Sequence, residues 1–500
     1  MSGSSAKGGK LRVVFEYSMP LIFGALIALA WANLDLASYE AFVNYDLGKW
    51  VGLADTPENL DDMALRRDLE AQQSRGGGDV VDVDQTPATD GDQMKPADDA
   101  GDEHEDGEDH DHDADHGDRH DSDHGDGHDA DHGDGHAGEH HHHGFSVHFI
   151  INDILMALFF AIAMKEVWES MLPGGSLANP RRAATPLMAT FGGIVGPVLV
   201  YFAGCLLFDS FSPGVFDLYK NGWAVPCATD IAFSYLVARF IFGAGHPAIA
   251  FLLLLAIADD AAGLLILAVF YPKDPIEFQW LLLAVAAMGV AWGLRKGRVI
   301  SHWAYLLGPG VMCWFAFYLS NVHPALGLVP IVPFLPGPKH DLGIFAREEY
   351  NQDDPLNAFE HFWKNPVEVI LGVFGLANAG VVLSSLGDGT WIVLAGLLLG
   401  KPLGITLMTL IAVKVFRLQK PDGMGYHHIV TLGMVAGIGF TVALFVSGSA
   451  FAKAPTEILD GVKMGALLSF LAAPFAIALG YMFGIIQQTP PAEPPAGEEG

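Results

Sequence analysis

Residues 246–271 read HPAIAFLLLLAIADDAAGLLILAVFY, a stretch without lysine or arginine whose only carboxylates, Asp259 and Asp260, lie near its middle. About 20 apolar residues cross the hydrocarbon core of a bilayer as a helix. The stretch therefore predicts a membrane-spanning helix with both carboxylates near the midplane, where a charge costs about 2.5–3.5 kcal/mol on insertion scales. Two adjacent acids at that depth indicate a site that binds a proton or a small cation.

Composition also favours a membrane protein. The 500 residues are 51% hydrophobic and 17% charged, whereas about a quarter of a soluble protein is charged. The net charge is −31, and more than half of it lies between Asp98 and His143. Without a basic excess, nucleic acid is not an expected partner. Cys205, Cys227 and Cys313 lie in or beside apolar segments and imply neither a disulfide framework nor a thiolate metal site.

Hydropathy predicts an all-α integral membrane protein with about 12 transmembrane helices. Glycine and proline inside several spans are tolerated in membranes, because neighbouring helices satisfy the freed backbone groups. The spans, numbered below in chain order, are 13–34, 147–171, 184–208, 223–241, 248–271, 278–294, 302–320, 322–336, 365–385, 390–413, 428–451 and 458–485.

Lysine and arginine predict the orientation of these spans. With both termini inside, the inner segments carry fourteen such residues and the short outer loops carry only Lys220, Lys273 and Lys453, as the positive-inside rule requires. The chain then divides into four parts: residues 1–35 with the first span, a disordered external loop over 36–145, a transmembrane region over 146–486 and a disordered cytoplasmic tail over 487–500. The loop and the tail are too polar to bury a core.

Span four is short and carries an internal acid, Asp230, preceded by Thr229 and Pro226. A short, proline-interrupted span of this kind is typical of the broken helices of transporters. The alternative is a helix in which Asp230 caps the second half. The two interpretations are compatible, since a cap also neutralises the helix dipole.

Span ten carries Lys401 within GKPLG, and span eleven carries Gly437 and Gly439 within GMVAGIGFT. An ammonium in the membrane needs a partner, and a carboxylate of span five is the nearest candidate; a purely structural salt bridge is the alternative. The glycines favour either an unwound segment or close helix packing. Unusual spans at corresponding places in spans 3–5 and 10–12 are typical of an inverted-repeat transporter.

These motifs together resemble the NhaA family of sodium/proton antiporters. The matching stretches occur in the family's order and cover nearly every span outside the acidic loop. They are INDILMALFF (151–160), GWAVPCATDIAF (222–233), IADDAAG (257–263), VHPAL (322–326), FGLANAGV (374–381), LGKPLGI (399–405) and AGIGFT (436–441).

The resemblance implies the NhaA fold, with inverted repeats over spans 3–5 and 10–12 and broken, crossing helices in spans 4 and 11. It implies a transporter of the bacterial inner membrane, not an enzyme, that exports Na⁺ or Li⁺ for a larger number of protons without a cofactor. By the resemblance, Asp260 is the principal cation- and proton-binding carboxylate and Asp259 pairs with Lys401. Asp230 and Thr229 lie at the helix crossing. The residues alone leave Asp259 and Asp260 interchangeable.

The resemblance further implicates four residues in the response to pH: Glu166, His323, Glu360 and His361. The family commonly has two basic residues shortly after Glu166, but this chain has Trp168 and Glu169 there. Besides the lipid bilayer, the expected partner is a second copy of the chain. The family's short, dimer-contacting hairpin after span one is replaced here by about 110 residues.

The external loop holds 13 of the 21 histidines, and in its centre a histidine recurs at every fourth position. Imidazole and carboxylate clusters bind Zn²⁺, Ni²⁺ or Cu²⁺, so an external metal buffer is one interpretation. A solvated acidic loop and a pH-responsive segment are the others. The recurring residues are His112, His116, His120, His124, His128, His132, His136 and His140.

Two rival functions follow from these features. A divalent-metal/proton exchanger would use the loop as an external metal collector, but no histidine or cysteine is adjacent to Asp259 and Asp260 in the sequence. A membrane scaffold or sensor without transport would leave the intramembrane charges without a purpose. The sequence therefore predicts an electrogenic, pH-regulated sodium/proton antiporter.

Overall fold

The computed structural model describes residues 19–47, 146–175, 177–243, 245–337, 354–420 and 423–486. The predictions for the histidine-rich loop, for the start of the first span and for the C-terminal tail lie outside these residues. Within the described ranges the chain is helical and forms no β-strand, only a single β-bridge between Asp46 and Ser146. This confirms the all-α prediction.

The helices are numbered here in chain order. They are α1 (Met19–Leu34), α2 (Leu36–Val43), α3 (Val147–Met171), α4 (Pro180–Phe211), α5 (Val215–Cys227), α6 (Ile231–Phe242), α7 (Pro247–Phe270), α8 (Phe278–Lys296), α9 (302–319), α10 (Pro355–Asn378), α11 (Asp388–Lys414), α12 (Tyr426–Ala436), α13 (Phe440–Ala450) and α14 (Thr456–Met482).

Six of the described helices are long and apolar enough to cross a membrane, namely α3, α4, α7, α8, α11 and α14. Two bent pairs add up to two more spans: α5 meets α6 at 54°, and α12 meets α13 at 49°. These pairs are the predicted spans 4 and 11, and both are broken. The protein is therefore a multi-pass membrane protein.

The breaks have identifiable causes. Pro226 lies in the 3₁₀ turn that ends α5, and proline weakens the helical hydrogen-bond ladder. At the second break a Cβ on Gly439 would lie 2.8 Å from the Ala228 carbonyl oxygen, and one on Gly437 would lie 2.7 Å from the Leu397 carbonyl oxygen. Unwinding and close packing, the two alternatives for these glycines, thus occur together.

The predicted helical span over 322–336 is wrong. Its only helical pieces are the three-residue turns Pro324–Leu326 and Val332–Phe334. The stretch contains four prolines, and each removes a backbone donor and crowds the preceding turn. Hydropathy detects an apolar stretch, but it does not detect the lost hydrogen bonds.

The stretch 322–336 nevertheless connects the two ends of α8. Near the start of α8, the carbonyl of Asn321 accepts a hydrogen bond from the backbone N–H of Lys273 at 2.9 Å. Near its end, the carbonyl of Pro333 accepts one from Arg295 Nη1, also at 2.9 Å. The segment thus runs the length of a spanning helix in an irregular conformation, which membranes tolerate where it is buried in protein.

The connections between helices gather at two opposite ends. At one end Lys453 pairs with Asp274 at 2.7 Å, which joins the connection after α13 to the one after α7. At the other, Thr185 Oγ1 donates to the Gln419 carbonyl at 2.8 Å. We call these the outer and inner ends, after the predicted orientation.

Two pairs of helices pack backbone to backbone. A Cβ on Gly24 of α1 would overlap the carbonyl of Gly372 in α10, and a Cβ on Gly192 of α4 would overlap the carbonyl of Gly404 in α11. Small residues permit such close approach of helices in membranes. The α4–α11 contact holds the middle of α11, and with it Lys401, against the broken helices.

Candidate cation and proton site

Helix α7 places its two carboxylates at the centre of the molecule. Asp259 is buried, with 5% of its surface exposed, and Asp260 is partly exposed. Neighbouring positions of a helix point in different directions. The two carboxylates therefore meet different surroundings, although both border the same cavity.

Asp259 is held by two polar partners. Its Oδ2 accepts a hydrogen bond from Thr229 Oγ1 at 2.8 Å and lies 3.1 Å from the ammonium of Lys401. Its Oδ1 is buried and has no hydrogen-bond partner among the described residues. The carboxylate thus keeps one oxygen available for another ligand.

Lys401 is fully buried and touches more than Asp259. Its ammonium also donates to the carbonyl of Cys227, the last residue of α5. The final carbonyls of a helix lack intrahelical partners, and a cation is favourable there. Helix α11 is wound as a π-helix over Gly396–Gly400, directly before Lys401, and π-turns often mark functional positions.

Asp230 caps two half-helices at once. Its Oδ1 accepts from the N–H of Phe233 at 3.2 Å, in the first turn of α6. Its Oδ2 accepts from the N–H of Thr441 at 3.3 Å and from the hydroxyl of the same residue, in the first turn of α13. The carboxylate therefore lies against both positive helix ends of the crossing. The cap and the broken helix, considered as alternatives, are the same feature.

Thr229, at the break of the first helix, also contacts the second broken helix. Besides Asp259, its hydroxyl contacts the carbonyl of Ala436, the last residue of α12, at 3.3 Å. The backbone N–H of Asp230 donates to the Ile438 carbonyl at 2.7 Å. These contacts bring the predicted residues Thr229, Asp230, Asp259 and Lys401 into one site.

A small cavity borders the carboxylates. Its volume is about 30 Å³, and about 10–15 Å³ of such space is enough to hold one water molecule. Apart from Asp259 and Asp260, its lining is largely apolar and includes Cys227, Phe160 and Leu267. Such a space has room for a small ion together with water.

The four residues linked to pH response do not come together. Glu360 pairs with buried Lys165 of α3, which also lies 2.6 Å from Glu169. Glu166 of α3 and His361 of α10 are exposed. His323 is buried, and its Nδ1 lies 3.6 Å from Asp153 Oδ1. Asp153 and Lys165 are twelve residues apart, about 18 Å along a helix, so His323 and Glu360 belong to separate clusters.

Three contributors were not predicted from the sequence. Lys165 supplies a positive charge just before Glu166, where the family commonly has bases after it. Thr441 completes the double cap, and the carbonyl of Cys227 binds Lys401. The threonine in GIGFT, two residues after Gly439, was the signal available for the double cap; backbone carbonyls leave none.

Mid-membrane carboxylates at the crossing of two broken helices, one of them paired with a lysine, define a secondary transporter. The family model for Na⁺/H⁺ antiporter 1 matches residues 132–482. The chain belongs to this family, and the predicted sodium/proton antiport is thereby confirmed. The family comprises transporters and is not a class of catalytic enzymes.

Individual relatives agree with this assignment. The Na(+)/H(+) antiporter NhaA of Jannaschia sp. (strain CCS1) is 50% identical over 366 residues, which are 69% of this chain and 85% of the relative. The proteins of the same name from Geotalea uraniireducens (strain Rf4) and Geobacter metallireducens are each 48% identical. They cover 68% and 67% of this chain, and in each case 86% of the relative.

The comparisons give no support to the divalent-metal exchanger. In the part of the chain that the structure describes, no group of three or more histidine, cysteine, aspartate or glutamate residues could hold a metal ion. The loop histidines, with their predicted Zn²⁺ or Ni²⁺ binding, are outside that part.

Proposed function

We propose that the protein exports Na⁺ or Li⁺ from the cytoplasm in exchange for protons, and that Asp260 is the carboxylate that carries both. One observation supports this assignment most directly. Both carboxylates border the cavity, but Lys401 pairs with Asp259, whereas Asp260 has no ion pair with any described residue. Asp259 is then the partner that the lysine holds in the cation-free state.

The formal charges of the site predict the direction in which the exchange moves net charge across the membrane. With Asp259 and Asp260 ionised and Lys401 protonated, the three groups sum to −1, and one bound Na⁺ brings the site to zero. Protonation of both carboxylates brings it to +1. A cycle that moves Na⁺ outward and two protons inward therefore carries net positive charge inward. The membrane potential drives such a cycle with about 2.3 kcal/mol per charge and 100 mV.

The ligands suit a hard cation. Na⁺ favours oxygen donors, as do the other hard cations. The cavity offers the carboxylate of Asp260 and the unpartnered Oδ1 of Asp259, and the hydroxyl of Thr229 lies beside them. A cation there competes with protons for the same oxygens, and this competition couples the two fluxes.

The helix crossing supports alternating access. Asp230 lies against the two positive half-helix ends, and Lys401 lies at the carbonyl end of α5. Three of the four half-helix ends at the crossing thus meet an opposite charge, and the Ala436 carbonyl at the end of α12 meets the Thr229 hydroxyl. These contacts let the unwound segments persist in the membrane. Pro226, Gly437 and Gly439 maintain the breaks.

The same proposal covers architecture and topology. Spans 3–5 (α4, α5–α6, α7) and spans 10–12 (α11, α12–α13, α14) each have their broken helix in the middle, which supports an inverted repeat. The remaining spans form an interface region, which includes the dimer contact. Twelve crossings, one of them the irregular stretch 322–336, place both termini in the cytoplasm and residues 36–145 outside the bacterial inner membrane.

The pH response is assigned to groups at both ends of α3. At the inner end, the ion pairs of Lys165 with Glu360 and Glu169 join α3 to α10. Glu166 and His361 lie nearby in sequence, and His323 belongs to the outer end. The basic residue ahead of Glu166 replaces those that the family commonly has after it.

The assignment of Asp260 is tested by Asp260→Asn. Everted membrane vesicles are acidified by respiration, and a pH-sensitive dye reports proton release on addition of NaCl, LiCl or KCl. We expect Asp260→Asn to abolish the Na⁺ and Li⁺ responses while the protein still accumulates and elutes as a folded species. Asp274→Asn, which removes an exposed carboxylate at the outer end, is the matched control. A wild-type Na⁺ response in Asp260→Asn would overturn the assignment.

A further inference from the structure

The cavity beside the carboxylates extends toward the outer end. On α7 its lining begins at Asp259 and continues through Leu264 to Leu267, and that part of the helix leads to the outer connection. The cavity lining also includes Ala224 on α5, the outer half of the first broken helix, and Val446 on α13, the outer half of the second. The outer halves of three helices therefore surround the space through which an ion would leave.

A polar cluster closes the molecule at this end. Lys273 follows α7 in the connection to α8, and its ammonium lies 2.7 Å from Asp153 Oδ1. Asp153 belongs to the π-helical stretch Ile150–Leu155 of α3, and its side chain is 7% exposed. The ammonium also lies 5.9 Å from the centre of the Phe149 ring. This ion pair thus joins the helix that carries the carboxylates to a helix outside the proposed repeats.

Aromatic contacts connect the ion pair to the cavity. His323 lies 3.6 Å from the same Asp153 oxygen, and its ring is 4.7 Å from that of Phe445 on α13. Phe445 in turn packs edge to face on Phe160, 5.0 Å away, and Phe160 lines the cavity. Phe160, Phe445 and His323 thus form a continuous row of contacts from the cavity wall to the outer ion pair.

The backbones of Asp153 and Lys273 are held by hydrogen bonds to other segments. An opening of this end would therefore separate the two side chains of the ion pair. Trp314 Nε1 donates to the Asp153 carbonyl at 2.8 Å, and the N–H of Lys273 donates to the Asn321 carbonyl. Separating the side chains would take the lysine ammonium away from a buried carboxylate, which is unfavourable. A closed outer end is therefore favoured until another interaction offsets that loss.

We propose that the ion pair between Lys273 and Asp153 is the outer latch of the transporter, and that it must separate each time the cavity opens outward. The proposal rests on the antiport function, since only a transporter needs such an opening. Lys273 and Asp153 act by holding two helices together, not by binding the transported ions.

Cys227 provides a built-in reporter, because it lines the cavity beside the carboxylates. In a Cys205→Ala/Cys313→Ala background it is the sole thiol. A membrane-impermeant, cationic methanethiosulfonate reagent is applied to right-side-out and, separately, to inside-out vesicles. We expect Lys273→Gln and Asp153→Asn to raise the rate of Cys227 modification from the outside about tenfold, as a 1.4 kcal/mol shift toward the open form would.

Lys453→Gln is the matched control. It removes another lysine–aspartate pair at the same end, but both side chains of that pair are more than half exposed, so we expect no change in rate. The charge exchange Lys273→Asp/Asp153→Lys should return the rate toward that of the parent. Because it restores opposite charges, it also separates a lost latch from a misfolded protein.

Equal outside rates in Lys273→Gln and Lys453→Gln, including no reaction in either, would overturn the latch. Thiol modification requires no ion exchange, so the result is independent of the dye assay. If Asp260→Asn still exchanged Na⁺ while Lys273→Gln reacted faster, the carrier assignment would fail and the latch would stand.

Discussion

The ammonium of Lys401 is fully buried and touches both a carboxylate and the carbonyl end of a half-helix. Its removal therefore leaves Asp259 and the Cys227 carbonyl without the ammonium, and removal of Asp259 leaves Lys401 and Thr229 without the carboxylate. Breaking a buried ion pair on one side costs about 3–5 kcal/mol, and replacing both partners costs far less. The pair is expected to contribute to stability as well as to exchange.

Lys401→Met should lower the thermal unfolding temperature in detergent more than Asp259→Asn/Lys401→Met does, because the double variant leaves neither member of the ion pair buried without its partner. The difference between them should correspond to about 1–3 kcal/mol of coupling. Unfolding measured by intrinsic fluorescence, with the single Asp259→Asn to complete the cycle, gives this value. A Lys401→Met protein as stable as the parent would show that the lysine is not paired in the folded state.

The sequence predicted the pairing of Lys401 with a carboxylate of span five, because an isolated charge in the membrane needs a partner. It did not distinguish Asp259 from Asp260, since adjacent positions carry the same chemistry. The distinction depends on which direction each position faces on α7, and that follows from the packing of α7 against α3, α4 and α6. Lys165 was missed for a related reason: its partner Glu360 is distant in sequence.

At the scale of elements, the two broken helices are held by one acidic side chain and by glycine. Helix N-termini have unsatisfied N–H groups, and Asp230, itself buried, caps two of these N-termini. Each N-cap is worth about 0.5–2 kcal/mol. One residue thus influences both halves of the proposed repeat.

Asp230→Ala should therefore destabilise the protein by about 1–4 kcal/mol, twice the range of a single cap, whereas Asp230→Asn should cost less because an amide oxygen still accepts hydrogen bonds. Asp35→Ala, which removes the single cap of exposed α2, is the control. Denaturant or thermal unfolding ranks the three. An equal loss in Asp35→Ala and Asp230→Ala would argue against the double cap.

Gly439→Ala should impair both stability and exchange, because its Cβ would lie 2.8 Å from the Ala228 carbonyl oxygen at the crossing. Overpacking of this kind costs about 1–3 kcal/mol. Gly448→Ala lies in the same half-helix with nothing within 4 Å of its Cβ, and we expect it to retain exchange. Dye dequenching by Na⁺ in everted vesicles compares the two; similar activity would mean that the crossing is not tightly packed.

At the scale of the whole molecule, hydropathy located the spanning segments but not their conformation. The bounds of α3, α7 and α8 lie within two residues of the predicted spans, since long apolar stretches leave few alternatives in a membrane. The stretch 322–336 is apolar too, yet its prolines prevent a regular helix. The apolar composition of a segment therefore predicts that it lies in the membrane. Its backbone hydrogen-bonding capacity, which proline reduces, determines whether it forms a regular helix there.

The described site forms without the histidine-rich loop, so transport should not require that loop. A chain lacking residues 100–140 should exchange Na⁺ and Li⁺ in reconstituted liposomes at a rate close to that of the full chain. Zn²⁺ should drive proton flux in neither protein. Zn²⁺-driven flux that disappears with the loop would favour the metal exchanger instead.

The close glycine contacts have a mechanical consequence. Where two helices meet backbone to backbone, no long side chain remains between them to rearrange. Helices α4 and α11 therefore form one rigid unit, and α1 and α10 form another. The contacts of α3 are instead made by aromatic rings and by ion pairs, which separate once another interaction offsets their loss. Compliance in this protein is therefore concentrated in a layer of side chains, and a substitution that stiffens that layer would slow turnover without touching an ion.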